Sequence, residues 1–380
     1  MKMNVSNRKY KYLLRQMIDD NVIDQAFKNL RKHKTRRPEI KKIEANYEAE
    51  KEAMKVMIWN SRPTEDADPE LGYKPGKRVP VVRYEHGKVR VTYEPEMHEQ
   101  WLHHIIVIIL RPIIERTAHP YSCGSLTKKG GHYGMRQLKR MIAKGKGIKY
   151  FIKIDIRHFF ESTDIDVVIE RLAIYIKDDW FLHIIKICYD GVKGLVLGFY
   201  LSQWLANYVL EPIDRLICEA GFEIQVRYMD DITVFSSNKR KLKALLIEIM
   251  KALGRTLRLR VKNNWAIAKF EYKGRGRYLD FMGFKFYRNR VTIRKRIMLK
   301  ATRTARGISR KLHSGKRFYR KTIRAMVSLL GWFKWTDSYE CYLERVKPFI
   351  NVKRLKRLIS RMDRRESRLR NERILRSQTA

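Results

Sequence analysis

The chain has 380 residues, with 83 Lys and Arg against 40 Asp and Glu, giving a formal net charge of +43. Charge on that scale repels itself in a compact state and finds its use against a polyanion, nucleic acid first and an anionic membrane surface second. Hydrophobic residues at 44% and aromatics at 11% exclude a disordered basic tail protein, and the length allows two or three domain-sized units.

In chain order, apolar positions recur every three or four residues up to residue 60, which predicts helices. Residues 61–80 hold four prolines and read as a loop or linker, so 1–80 form an N-terminal helical extension. VPVVRYEHGKVRVTYE predicts a β-hairpin around His86-Gly87, and 97–116 a mostly buried helix. YSCGSLTKKGGHYG is a glycine-rich basic loop feeding a helix at 135–143. Tyr150–Ile156 reads as a buried strand, 164–176 and 201–219 as helices, Ile224–Phe235 as a hairpin and 239–253 as an amphipathic helix. Short strands are expected near 259–262, 266–272, 278–287 and 290–294, then helices at 298–312 and 318–334. Residues 281–336 carry 17 Lys and Arg and no acid, and 353–380 read as a basic helix with 11 basic and 3 acidic side chains.

The N-terminus has no apolar segment of signal-peptide type, and the longest apolar stretch, Ile105–Ile114, is broken by Arg111-Pro112. A membrane span needs roughly 20 apolar residues, so a cytoplasmic protein without membrane contact is expected. The four cysteines are scattered, which argues against disulfides and a structural zinc site.

Three acids carry the chemistry. Asp155 ends the apolar strand in FIKIDIRHFF, and Asp230 and Asp231 interrupt VRYMDDITVF. Carboxylates beside buried strands are costly without a compensating cation. The plain alternative is that each is a turn residue or is paired with an arginine such as Arg227. If the two strands lie side by side, Asp155 and Asp230 meet, and Mg²⁺ relieves their repulsion. Two such ions about 3.5–4 Å apart support in-line displacement at phosphorus.

YMDD at Tyr228–Asp231, 75 residues after Asp155 and flanked by apolar residues, resembles the third palm motif of reverse transcriptases. FIKIDIRHFF resembles the first motif. That likeness implies Asp155, Asp230 and Asp231 as catalytic metal ligands, the Ile156 carbonyl as a further ligand, and Phe160 as the aromatic gate against a ribose 2′-hydroxyl. LGFYLSQWLAN resembles the second motif, with Leu197 and Gly198 near the incoming dNTP and Ser202 and Gln203 near template and primer. Lys262 matches the lysine close to the triphosphate, and Arg90 and Lys88 sit where basic residues of the fingers contact it. LDFMGFKF resembles the primer-gripping hairpin, with Met282 and Gly283 at its turn; Tyr228 and Met229 are expected at the primer as well.

Leu197-Gly198…Ser202-Gln203 departs from the commoner QG-x-x-x-SP and is similar to reverse transcriptases of diversity-generating retroelements and of bacterial defence systems. Leu126 stands where relatives place an arginine, which would pass that contact to Lys128 or Lys129. The resemblance implies an α+β right-hand fold: fingers at 81–149 with part of 161–195, palm at 150–294, helical thumb at 295–350 and a basic tail at 351–380. It implies RNA-directed DNA polymerisation with two Mg²⁺ ions, or Mn²⁺ in their place, on an RNA template with a DNA or RNA primer. A cognate structured non-coding RNA and an accessory protein are expected partners. The rival readings are a palm polymerase making RNA and a non-enzymatic RNA-binding scaffold. Only six acids follow Asp280, too few to suggest an appended ribonuclease H unit.

Overall fold

The computed structural model describes residues 9–85, 88–145, 147–275, 277–314 and 319–378. It divides into two compact units, one made of 1–130 with 150–267, the other of 131–149 with 268–380. No helix among the described residues is long and apolar enough to cross a membrane.

The first unit opens with helices Leu13–Met17, Asp20–Arg31, Pro38–Ala45 and Tyr47–Asn60. The second starts cleanly because the Asp19 carboxylate accepts from the amides of Asn21 and Val22. Its apolar stripe, Ile23, Ala26, Phe27 and Leu30, is buried on the central helix Met97–Thr117. There Trp101 is wholly inaccessible and donates its indole N–H to the Ile23 carbonyl at 3.1 Å. Pro112 lies inside this helix.

Strands β1 (Val79–Glu85) and β2 (Lys88–Glu94) pair antiparallel about the segment expected to turn at His86-Gly87, which lies outside the described residues. Their register sets Arg83 directly opposite Arg90, while Val82, Tyr84, Val89 and Val91 remain exposed.

The sheet at the centre of this unit contains β3 (Tyr150–Ile154), β4 (Gln225–Tyr228), β5 (Asp231–Ser236) and the start of β6 (Ala266–Lys269), in the order β4-β5-β3-β6. Its inner positions, among them Ile152, Ile154, Val226, Ile232 and Val234, are at most 1% exposed. Helices Ile165–Ala173, Asp179–Ile187 and Lys239–Leu257 belong to the same unit. The helix expected over 201–219 is two, Tyr200–Val209 and Glu211–Glu219. Pro212 explains the break, since it has no N–H for the Tyr208 carbonyl and its ring crowds that oxygen. The strand expected at 259–262 is a single bridge, Ile156 to Val261.

In the second unit, helix Gly131–Lys144 accompanies a three-stranded antiparallel sheet of β7 (Leu279–Phe281), β8 (Phe284–Phe286) and β9 (Val291–Ile293). Alternation buries Phe281, Phe284 and Phe286 on one side. The β7–β8 turn is Met282-Gly283, with φ of 52° and 90°. Positive φ at both central residues is the type I′ geometry that matches strand twist. Helices Lys295–His313, Arg320–Lys334 and Tyr339–Arg345 follow, then Val352–Gln378. The last is held along its neighbour by Asp363, which pairs with Arg320 at 2.5 Å and Arg324 at 3.0 Å.

Candidate active site

The register of β3 on β5 brings the acids together. Ile154 pairs with Ile232, so one further step sets Asp155 across from Asp231. Tyr228 pairs with Asp231, leaving Met229 and Asp230 as the two-residue turn between β4 and β5. Asp155 is held at the strand end by its carbonyl, which accepts from the Lys262 amide at 2.8 Å. The same bridge uses the Arg157 amide on the Arg260 carbonyl at 2.9 Å, so the Ile156 carbonyl lies outside that ladder.

Burial, and next the charge of Asp155, push the Asp230 carboxyl up to about 6. A buried carboxyl beside a second carboxylate favours a neighbouring positive charge. Lysines supply part of it. Lys262 Nζ lies 3.3 Å from Asp155, and Lys153 Nζ lies 3.1 Å from Asp231. Each ammonium stands in for cationic charge at a carboxylate. Among the described residues, no group of three or more His, Cys, Asp or Glu is drawn into a ready coordination shell.

Arg227, the alternative partner weighed for these acids, is engaged elsewhere. Arg227 is buried and forms a forked ion pair with Asp214, its Nε at 2.8 and 3.0 Å and its Nη2 at 2.6 Å from the carboxylate oxygens. The pairing reading for Asp230 is thereby corrected: Arg227 spends its charge on Asp214, which the sequence reading did not single out. A charge inside an alternating buried strand was the available signal that such a partner exists.

The second-motif segment is positioned by backbone. The Tyr93 amide donates to the Leu197 carbonyl at 2.8 Å, and Gly198 has φ +110°. A Cβ at Gly198 would lie 2.1 Å from the Tyr93 carbonyl, so only glycine fits there. Leu197 is half-buried and Gln203 is exposed, its side-chain oxygen accepting from the Ser125 hydroxyl at 2.9 Å. Ser202 is different. It is fully buried, and its hydroxyl shares a 2.9 Å hydrogen bond with the Tyr189 hydroxyl, so its side chain is not presented to a template in this conformation.

Phe160 is half-buried beside Phe159, with ring centroids 5.7 Å apart. Its carbonyl accepts from the Leu195 amide at 2.7 Å. Tyr228 is 37% exposed and Met229 half-buried. Arg90 is exposed on β2, and the Lys88 side chain lies outside what is described. Leu126 is buried, Lys128 exposed and Lys129 half-buried, with burial lowering its ammonium pKa. Met282 and Gly283 belong to the second unit, where a Cβ on Gly283 would lie 2.7 Å from the Trp332 ring. Phe333 is core there, whereas Trp335 is 41% exposed with the Arg136 guanidinium 5.0 Å from its ring.

Comparison with known proteins agrees with the motifs. Residues 73–274 match the family described as reverse transcriptase (RNA-dependent DNA polymerase). The retron Ec73 reverse transcriptase of Escherichia coli is 30% identical over 133 residues, covering 30% of this chain and 42% of that protein. An uncharacterised 91 kDa protein in the cob intron of Schizosaccharomyces pombe is 25% identical over 159 residues, 39% of this chain and 19% of the relative. The chain thus spans less than half the length of either curated relative. Among solved structures, apo telomerase from Candida tropicalis truncated from its C-terminal domain aligns with a TM-score of 0.46 at 14% identity, over 57% of this chain and 55% of that one. The family match extends over more than half of the chain and contains Asp155, Asp230, Asp231, Gly198 and Lys262: the chain belongs to the reverse transcriptase family.

Proposed function

We propose that the chain is an RNA-directed DNA polymerase, adding dNTPs to a DNA or RNA primer on an RNA template. The observation that carries this reading is the meeting of Asp155, Asp230 and Asp231 at the ends of β3 and β5 in a chain of this family. The donor set fits divalent cations: hard carboxylate oxygens adjoin, and the Asp230 carboxyl, raised by burial and then by the charge of Asp155, is one whose ionised form a cation would stabilise. Asp155, Asp230, Asp231 and the Ile156 carbonyl would hold two Mg²⁺ ions, or Mn²⁺ in their place. When bound, such ions acidify the primer 3′-hydroxyl and neutralise charge on the triphosphate.

The remaining roles belong to the chain's own residues. Lys262, whose ammonium lies 3.3 Å from Asp155, would contact triphosphate oxygens. Arg90 with Lys88 meets the triphosphate on the hairpin whose register sets Arg83 opposite Arg90. The Phe160 ring excludes a 2′-hydroxyl, and Gly198 lets backbone approach the incoming nucleotide. Leu197 borders the incoming dNTP, and Gln203, Tyr228 and Met229 contact template and primer. In the second unit the Met282-Gly283 turn serves as a primer contact. Residues 81–149, with part of 161–195, act as fingers, 150–294 as palm and 295–350 as thumb. The basic tail and the N-terminal extension hold a cognate structured RNA through its phosphates, in a retroelement or an anti-phage system, with an accessory protein where one exists.

Extension of a primed RNA template with dNTPs or NTPs, with Asp230→Asn as control, tests the reading. Extension by dNTPs alone, lost in the variant, is expected. Growth with NTPs alone, or an equally active variant, overturns it.

A further inference from the structure

The Met229–Asp230 turn carries a backbone penalty. Met229 is not glycine, yet its φ is 56°. A non-glycine residue held in that region is disfavoured by about 1–3 kcal/mol and persists only where its surroundings enforce it. The next residue is Asp230, so whatever holds this turn also sets where that carboxylate lies.

Arg227, two residues upstream, is built to hold it. A guanidinium has five N–H donors, and the geometry gives all five a partner. Asp214 takes two, from Nε and Nη2, at 2.8 and 2.6 Å. Asn207 takes two, its side-chain oxygen from Nη1 at 3.3 Å and its carbonyl from Nη2 at 3.1 Å. The fifth, on Nη1, goes to the Met229 carbonyl at 3.2 Å. Arg227 is 3% and Asp214 1% exposed, so no solvent competes for these bonds.

The surrounding loop is keyed to the same residue. Asn207 Nδ2 donates to the Gly124 carbonyl, the Arg227 amide to the Tyr121 carbonyl at 3.1 Å, and the Cys123 amide to the Arg227 carbonyl at 2.8 Å. Gly124 leaves room for the methionine: a Cβ there would lie 2.7 Å from Met229 Cγ and Sδ.

We propose that Arg227, oriented by Asp214 and Asn207, is a positioning residue that holds the Met229–Asp230 turn in its left-handed conformation and so sets Asp230 against Asp155. The kinetic part of this proposal rests on the polymerase reading; the conformational part does not. A buried ion pair is weak evidence for stability, because desolvation offsets most of the attraction and well-packed apolar replacements are often neutral. A purely structural pair could therefore be exchanged without loss of activity. A positioning pair could not.

The test is the double variant Arg227→Met with Asp214→Leu, which removes both charges together. Thermal stability well above that of Asp214→Leu alone is expected, with kcat for dNTP incorporation lower by about tenfold to a hundredfold, as follows from sub-ångström misplacement of a reacting group. KM for dNTP should stay within about twofold, because the nucleotide contacts are elsewhere. Adding Met229→Gly to the double variant should restore part of kcat, since glycine adopts positive φ without penalty. Arg227→Lys keeps the charge opposite Asp214 but cannot supply five directed donors. It should show the same loss of kcat, and it serves if the double variant does not fold.

A stable double variant, or Arg227→Lys, with wild-type kcat overturns the proposal, as does failure of Met229→Gly to recover any activity. Amide hydrogen exchange at Tyr228–Asp231, faster in the variants, reads the turn without reference to activity. If the wild type extends no primer while exchange still accelerates, the polymerase reading fails and the positioning role stands. Unchanged exchange removes the positioning role itself.

Discussion

Two charged clusters lie within a few residues of one another around β4 and β5, and they are built on opposite terms. Arg227 and Asp214 are 3% and 1% exposed, and every guanidinium donor is used. Asp155 and Asp231 are half-buried, with lysine ammonium groups at 3.3 and 3.1 Å, while Asp230 adjoins a like charge. The first cluster is complete within the chain. The second sets carboxylates beside one another, one of them raised by burial and then by its neighbour's charge.

That contrast can be broken by substitution. Asp230→Asn should lower primer extension by a thousandfold or more, equivalent to about 4 kcal/mol of barrier, while leaving the fold intact. A modest loss in single-turnover assays would place the essential charge elsewhere. Asp214→Leu alone should act in the opposite sense. It strands the Arg227 charge in the interior and destabilises the protein by about 3–5 kcal/mol in urea unfolding, whereas the paired exchange with Arg227→Met should not.

A pH titration of stability sharpens the comparison. The Asp230 carboxyl is raised to about 6 in the folded chain, from 3.8, by burial and then by Asp155. Between those values the folded chain binds a proton that the unfolded chain has released. Its contribution to stability is therefore present in full below 3.8 and is lost as pH rises through 6. In chelator-treated protein, thermal stability relative to Asp230→Asn should fall across pH 4–6 and level off above. Added Mg²⁺ should shift the fall to lower pH, because it favours the ionised form. A difference that stays flat with pH would contradict the raised carboxyl.

The smallest effect belongs to the lysines. Lys153→Met removes a partly exposed ion pair, and such pairs contribute about 1 kcal/mol or less. Its thermal midpoint should move by no more than a few degrees.

Much of the architecture was open to inspection in the pattern of residues. The buried helix Met97–Thr117, the strand Tyr150–Ile154, the hairpin through Tyr228–Asp231 and the basic helix Val352–Gln378 all follow from local periodicity and turn chemistry. Local rules failed where a single residue or a distant segment intervened. Pro212 divided one expected helix, and an expected strand at 259–262 became a lone bridge of Val261 to Ile156, closed by the Lys262 amide on the Asp155 carbonyl and the Arg157 amide on the Arg260 carbonyl. Ser202, which family resemblance places near the template, is packed against Tyr189. Nothing in the spacing of the motif distinguishes its buried hydroxyl from the exposed Gln203 next to it.

The amino-acid sequence alone determined that three acids end or interrupt apolar strands, that the excess basic charge gathers in an acid-free segment and a tail, and that the motifs are those of a reverse transcriptase. Only the tertiary structure decided which cation meets which carboxylate. Lys262 reaches Asp155 across 107 residues, Lys153 reaches Asp231 through the β3–β5 register, and Arg227 turns away from Asp230 to Asp214. The physical reason is one of range. Periodicity and turn preference act over a few neighbouring residues, whereas the partner of a buried charge is chosen by strand register and helix packing, which exist only once the chain has closed on itself.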